Sequence, residues 1–425
     1  MTWFLRKRAQ ASSDKVETQW PWLLFCCLLL AASVMAAGQT DKLTVESPEA
    51  FPLAEIPFEL YHNRIYLPVR INNSGPYSVV VDTGASTSGV SEAKARQLGL
   101  HESGKASLKG NGENISKVGL AKNLIFDLDG IELDVKTAAV VPFEQLESYE
   151  GRRIDGVLGA ELFKNFVVQI DYQERVLSLY DPSIYAFPGH GDTLPLHILK
   201  GGALPLVQAK IFVPGKEPID ARLAIDLGTY SALRLYRPLD EKQGLPMPGQ
   251  KVMSFFGFGL GGEFPESLGR IQNLELGWGV KIAGPIVAFS HASGGATAGA
   301  DYDGTIGGEI LRRFKVVFDY SRQQIILERN VNFVDPYNAD MSGLFLTARG
   351  RNLNEFEVHH VFPKTPAEEA GIREHDSLLT IDGKPAAQLD LQQIRELLEH
   401  EGVYKLRVKR GDQELPLELH TRPLI

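Results

Sequence analysis

Apolar positions in this chain come in short runs and alternations, and few stretches repeat at helical spacing before residue 386. Short apolar runs bounded by turn residues mark strands, whereas an amphipathic helix needs apolar residues three and four apart. Val79-Val80-Val81 and Leu223-Ala224-Ile225 are two such runs, and both read as buried strands. With 41 glycines to supply turns, the expected fold is mainly β. Helical spacing comes late. Leu391, Ile394, Leu397 and Leu398 share one face of a helix predicted over 389–399, and 403–409 then alternates as a strand.

Each buried run ends in an acidic turn, Asp82-Thr83-Gly84 in one case and Asp226-Leu227-Gly228 in the other. Each turn has a downstream echo: Asp155-Gly156-Val157-Leu158-Gly159 after the first, Asp303-Gly304-Thr305-Ile306-Gly307 after the second. Both echoes lead into a similar strand, predicted over 166–172 and 314–320, and a further echo links Leu67-Pro68-Val69 with Leu204-Pro205-Leu206. Order and spacing are kept throughout, so the chain carries an internal duplication, and each copy offers one carboxylate on a tight turn.

Such a pair suits one chemistry. Two carboxylates a few ångströms apart cannot both ionise, so they share a proton; one can draw a proton from a water while the other protonates a carbonyl oxygen. A glycine after each Asp lets the two loops approach where a Cβ would collide.

On these motifs, residues 55–330 resemble the aspartic peptidase family, and Val79 to Ser86 (VVVDTGAS) is most similar to its retroviral-type members. The resemblance implies a bilobal β fold, peptide-bond hydrolysis without cofactor or metal, and catalysis by Asp82 and Asp226. It implies loop support from Thr83, Gly84, Gly228 and Thr229. The family has Thr where this chain has Leu227, so one of two reciprocal hydroxyl contacts between the loops would be missing; Thr229 could instead bond Asp226. The family fold also places a hairpin flap over the cleft in each lobe. The matching intervals hold Gly110 and Gly112 in 109–114, and Phe256, Gly257, Phe258 and Gly259 in 255–262, where Phe255, Phe256 and Phe258 would line an apolar cleft. Gly257, Gly259 and Gly262 also fit a GxGxxG spacing, but no helix follows, which argues against a nucleotide site.

Residues 340–425 resemble a PDZ domain, on Ser342-Gly343-Leu344-Phe345-Leu346, the 365–372 stretch and Asp376 to Gly383. That resemblance implies that Gly343, Leu344, Phe345 and Leu346 form a carboxylate-binding loop for a C-terminal peptide ligand. His375 departs from the pattern, which has glycine before the aspartate.

The net charge of −9 argues against nucleic acid as a partner. Both cysteines, Cys26 and Cys27, lie in an uncharged segment over 20–37 behind Arg6, Lys7 and Arg8, so the rest of the chain has neither disulfide nor thiolate metal site. His359-His360 are expected on a strand. The 20–37 segment predicts export to the periplasm or cell envelope, as a cleaved signal peptide or as a membrane anchor. The expected organisation is leader 1–40, linker 41–54, first lobe 55–182, connector 183–195, second lobe 196–331 and PDZ domain 340–425. The function expected is that of an exported aspartic-type endopeptidase acting on peptide or protein substrates, with PDZ-mediated recruitment. Two alternatives remain open: an inactive bilobal peptide-binding protein, and a first lobe active only as a homodimer.

Overall fold

Strands dominate the computed structural model, which describes residues 51–199, 204–277, 279–298 and 301–425. The leader and most of the linker, and with them the predicted export segment, lie outside the described residues. Among the described residues no helix is long and apolar enough to cross a membrane. The mainly β architecture expected from the short apolar runs is the one observed.

The first lobe is an eight-stranded sheet that curls back on itself, because Arg70 and Ile71 pair with Asp127 and Phe126 in addition to the main strand order. The second lobe is built on a larger sheet of related order. In the first, the strand Ser74–Val81 runs parallel to Gly156–Leu158, with Val81 opposite Leu158. In the second, Ile219–Ile225 runs parallel to Gly304–Ile306, with Ile225 opposite Ile306. Val79, Val81, Leu223 and Ile225 have no exposed surface. At about 1.5–3 kcal/mol for each buried aliphatic side chain, they fix the strands that lead into both Asp turns.

The downstream echo has a physical cause in each lobe. Asp155 accepts the Ser78 amide at 2.9 Å, and Asp303 accepts the Arg222 amide at 2.7 Å, so each carboxylate ties its own strand to the strand before the Asp turn. The glycine ending each echo passes under that turn. A Cβ on Gly159 would lie 2.6 Å from the Ala85 carbonyl oxygen, and one on Gly307 2.3 Å from that of Ser231. The Leu-Pro echo is displaced by comparison: Leu67 pairs with Val79 and Val207 with Leu223, so register equates Leu67 with Val207 rather than Leu204.

A third, six-stranded sheet joins the lobes. Val167–Asp171 from the first pairs antiparallel with Phe314–Asp319 from the second, and Phe163 packs edge-on against Phe318 with ring centroids 5.2 Å apart.

The C-terminal residues form their own sheet from Leu344–Arg349, Glu355–Val361, Ser377–Ile381, Gly402–Arg410 and Gln413–Thr421. His359 and His360 lie on the second of these strands. The amphipathic helix spans Leu391–Leu398 and opens with a reciprocal Asp390–Gln393 capping box. Leu391, Ile394 and Leu398 are buried in the core of this unit, whereas Leu397 is 36% exposed.

Candidate active site

The two Asp turns meet back to back at the floor of a cleft between the lobes. In each, the Asp carboxylate accepts the amide two residues on, Gly84 to Asp82 at 2.7 Å and Gly228 to Asp226 at 2.9 Å. The Asp amides donate to Leu158 and Ile306 at 2.9 Å, so each turn is held by its own echo. Closeness across the interface is set by the glycines: a Cβ on Gly84 would lie 2.9 Å from Asp226 Oδ1, and one on Gly228 2.5 Å from Asp82 Cγ.

Thr83 bridges the turns. It has no exposed surface; its hydroxyl donates to the Ile225 carbonyl at 2.7 Å and accepts the Leu227 amide at 3.0 Å. Leu227 returns no such contact and packs into the apolar core at 1% exposure. One arm of the cross-loop grip is therefore present, and its two hydrogen bonds contribute on the order of 1 kcal/mol each. Thr229 donates its hydroxyl to Asp226 Oδ2 at 2.9 Å, a contact Ala85 cannot offer Asp82. The dyad is asymmetric, with Asp226 accepting one hydrogen bond more from its own loop.

Both carboxylates are partly exposed to the cleft yet surrounded by protein. Burial, the charge of Asp226 and a hydrogen bond with it push Asp82 up to about 8. The pair thus keeps one proton through neutral pH, as expected of coupled carboxylates.

Two hairpins roof the cleft and touch at their tips. The first joins Gly104–Lys109 to Ile115–Leu128, the second Met253–Gly259 to Gly262–Arg270. Gly112 and Asn114 amides donate to the Leu260 and Gly261 carbonyls, both at 3.1 Å, and the Ala296 amide donates to Gly110 at 2.8 Å. Gly110, Gly112 and Gly261 leave no space for a Cβ at this junction. Beneath the roof lies a cleft of about 290 Å³, whose lining includes Val141, Phe143 and Val157 from the first lobe and Arg234, Tyr236 and Tyr302 from the second.

The aromatic hairpin corrects one expectation. Phe258 and Gly259 line the cleft, but Phe255 and Phe256 turn the other way. Phe255 stacks on Phe362 of the C-terminal unit at 5.4 Å, and Phe256 meets His360 edge-on at 5.1 Å. Gly257 lies where a Cβ would overlap the Phe264 ring, so its role is packing between the hairpin strands. The hairpin is buttressed from outside by the C-terminal unit, which contacts all three of its phenylalanines, since Phe258 also meets Phe345 at 5.9 Å while lining the cleft.

The C-terminal loop Gly343 to Leu346 is also occupied differently from expectation. The Ser342 and Gly343 amides donate to Asp340 at 3.1 and 2.5 Å, and the Leu344 amide to Ser342 Oγ at 3.0 Å, so an internal carboxylate and a hydroxyl already take the Gly343 and Leu344 amides. Leu344 and Leu346 are in the unit's core, and Phe345 stacks on Tyr149 of the first lobe at 5.9 Å.

Composition gave no sign of the polar residues behind the dyad. Arg64, 7% exposed, donates from Nε to the Gly228 carbonyl at 2.7 Å and pairs through Nη1 with Glu150, which has no exposed surface. The available signal was a lone arginine within the otherwise apolar start of 64–69.

Against this geometry, residues 67–162 match the family model described as Aspartyl protease, a stretch that includes the Asp82 turn and its echo. The match supports a protease. A 67-residue stretch is 34% identical to the serine protease HTRA1 of Xenopus laevis, covering 16% of this chain and 14% of that protein.

Proposed function

We propose that the protein is an exported aspartic-type endopeptidase whose two lobes arose by duplication and whose C-terminal unit is a PDZ domain. The observation that carries this reading is the back-to-back approach of Gly84 and Gly228, each so near the opposite carboxylate that an added Cβ would lie 2.9 and 2.5 Å from it. One carboxylate takes a proton from a water held between them, and the water oxygen adds to the scissile carbonyl carbon while the other carboxylic acid protonates the carbonyl oxygen. Collapse of the tetrahedral diol breaks the C–N bond, with a proton passed to the departing amine. No covalent acyl intermediate forms. The joined hairpins exclude bulk water above the dyad and open to admit a peptide strand.

The shared proton at Asp82, held to about 8, suits work near neutral pH, as in the cell envelope to which the 20–37 segment would direct the chain. The PDZ reading rests on the sheet-and-helix make-up of 341–425 and its glycine loop; chain-end capture there requires displacement of Asp340 from the loop amides.

The test is cleavage of a mixed peptide library from pH 3 to pH 8 by the protein from residue 40 onward and by Asp82→Asn and Asp226→Asn. Each substitution is expected to abolish cleavage. Full activity in Asp226→Asn would point instead to a first lobe acting as a homodimer, and peptide binding without cleavage by any form to an inactive binding protein.

A further inference from the structure

A buried ion pair is a poor way to stabilise a fold, since desolvating two charges costs about as much as their attraction returns and apolar replacements are often neutral or better. The Arg64–Glu150 pair therefore calls for another role, and its surroundings supply one. Arg64 holds the backbone of the second Asp turn at Gly228, two residues past Asp226, and lies 5.2 Å over the Tyr230 ring. Burial and Asp226 raise Asp82, and the Arg64 cation opposes them.

Glu150 in turn is set by the C-terminal unit. Arg395, on the Leu391–Leu398 helix, donates to the backbone carbonyls of Tyr149 and Glu150, the latter at 3.3 Å, and approaches His62 Nδ1 at 3.4 Å. His62 Nδ1 meets the Glu150 carboxylate at 3.2 Å, and its amide donates to Gln392 Oε1 at 2.6 Å. The helix cannot shift freely here: a Cβ on Gly151 would lie 2.5 Å from Leu391 Cβ. The first strand of the unit is likewise engaged, with Ser148 Oγ donating to the Ala348 carbonyl at 2.9 Å. Arg395 thus holds the backbone of Glu150 and lies beside His62, while the Glu150 carboxylate meets His62 and Arg64, and Arg64 the loop of Asp226.

We propose that Arg64 is a positioning residue for the Asp226 loop and that Arg395 completes its setting, so that the C-terminal unit is a working part of the peptidase site and not solely a recruiting module. The inference rests on the peptidase reading above. A unit that only recruits would alter KM for long substrates and leave turnover of a short peptide untouched. A positioning unit alters kcat on the short peptide and moves the titration of the dyad. The titratable and charged groups that face Arg64 are Glu150, His62, Tyr66, Tyr230 and Arg395.

The experiment compares the protein from residue 40 onward with Arg64→Lys, Arg64→Gln and Arg395→Met. It reads kcat and KM on a short peptide against pH, and the carboxyl titration of the dyad by carbon NMR of aspartate-labelled protein, identified with Asp82→Asn. Arg395→Met is expected to lower kcat roughly tenfold at unchanged KM, the loss for one displaced contact in the transition state. Arg64→Gln is expected to lower kcat further and to shift the dyad's proton loss to higher pH, because a nearby cation is gone; Arg64→Lys, which keeps the charge, lowers kcat without that shift. Wild-type kcat and an unmoved titration in Arg395→Met and Arg64→Gln would overturn the inference. If Arg395→Met lacks a cooperative melt, Gln392→Ala, which frees the His62 amide, takes its place with the same two outcomes. Should the wild-type protein cleave nothing, the peptidase reading fails by that result, and the NMR titration alone still decides whether Arg395 and Arg64 set the dyad.

Discussion

At Gly228 the opposing carboxyl leaves no room for a side chain: a Cβ would stand 2.5 Å from both Cγ and Oδ1 of Asp82. In Gly228→Ala the two turns must part by an ångström or so, and misplacement of reacting groups on that scale costs about a hundredfold in rate. The expected outcome is a folded protein with kcat lowered at least that far, checked by peptide cleavage alongside circular dichroism; wild-type kcat would mean the turns do not work as a pair. The residues that touch the dyad from neighbouring sequence were legible in advance, because a turn dictates its own partners: Thr83, Gly84, Gly228 and Thr229 all make local or loop-to-loop contacts. Arg64 was not. Glu150 lies 86 residues from it and Gly228 164 residues, and no spacing rule links positions brought together only by the fold. His375 was legible as an oddity, and it adopts φ +69°, the left-handed conformation that glycine takes without strain.

At the scale of elements, strand runs were readable because burial on both faces leaves a continuous apolar stretch, as in Val79 to Val81 and Leu223 to Ile225. The direction of side chains on the second hairpin was not readable, since Phe255, Phe256 and Phe258 are equally apolar and only the neighbouring unit decides which way each turns. The internal carboxylate of Asp340 was not readable for the same reason: it lies just before the glycine loop, and only the folded turn aims it at the Ser342 and Gly343 amides. The roof itself depends on backbone contact between hairpins. Gly261, at φ +102°, would carry a Cβ 2.1 Å from the Asn114 carbonyl oxygen. Gly261→Ala should pry the tips apart, lower kcat/KM for peptides by roughly tenfold, and raise proteolytic nicking at 110–114. Unchanged kcat/KM and nicking would show that the tip contact is dispensable for closure.

Across the whole molecule, shifted carboxyl groups couple folding to pH, and their signs can be worked out. Burial raises Asp240 to about 8, Asp340 to about 6 and Glu399 to about 7, with nearby carboxylates adding to the first and last, and Asp82 stands at about 8. An acid whose folded value is raised keeps its proton where the unfolded chain has lost it, so between about pH 4 and pH 8 the native state binds more protons and stability falls as pH rises. Lowered groups act in the other direction, and among the described residues His62 and Glu150 are the most strongly shifted of them. Burial lowers His62 to about 4, so stability is lost as pH falls from 6.5 toward that value. Burial opposes ionisation of Glu150, but Arg64, His62 and Arg395 together hold it at about 2, so its contribution is lost only below pH 4.5. Four raised acids outweigh one lowered histidine over the shared window, and the melting temperature is expected to peak near pH 4–5 and decline steadily to pH 8. Asp82→Asn removes the largest functional part of that decline and should raise stability at pH 8 by an order of a few kcal/mol, discounted for the partial exposure of the carboxyl to the cleft, while leaving stability at pH 4 nearly unchanged. Thermal melts of both proteins across this range decide it: an equal gain at pH 4 and pH 8 would mean that the Asp82–Asp226 pair does not keep a proton that the unfolded chain releases.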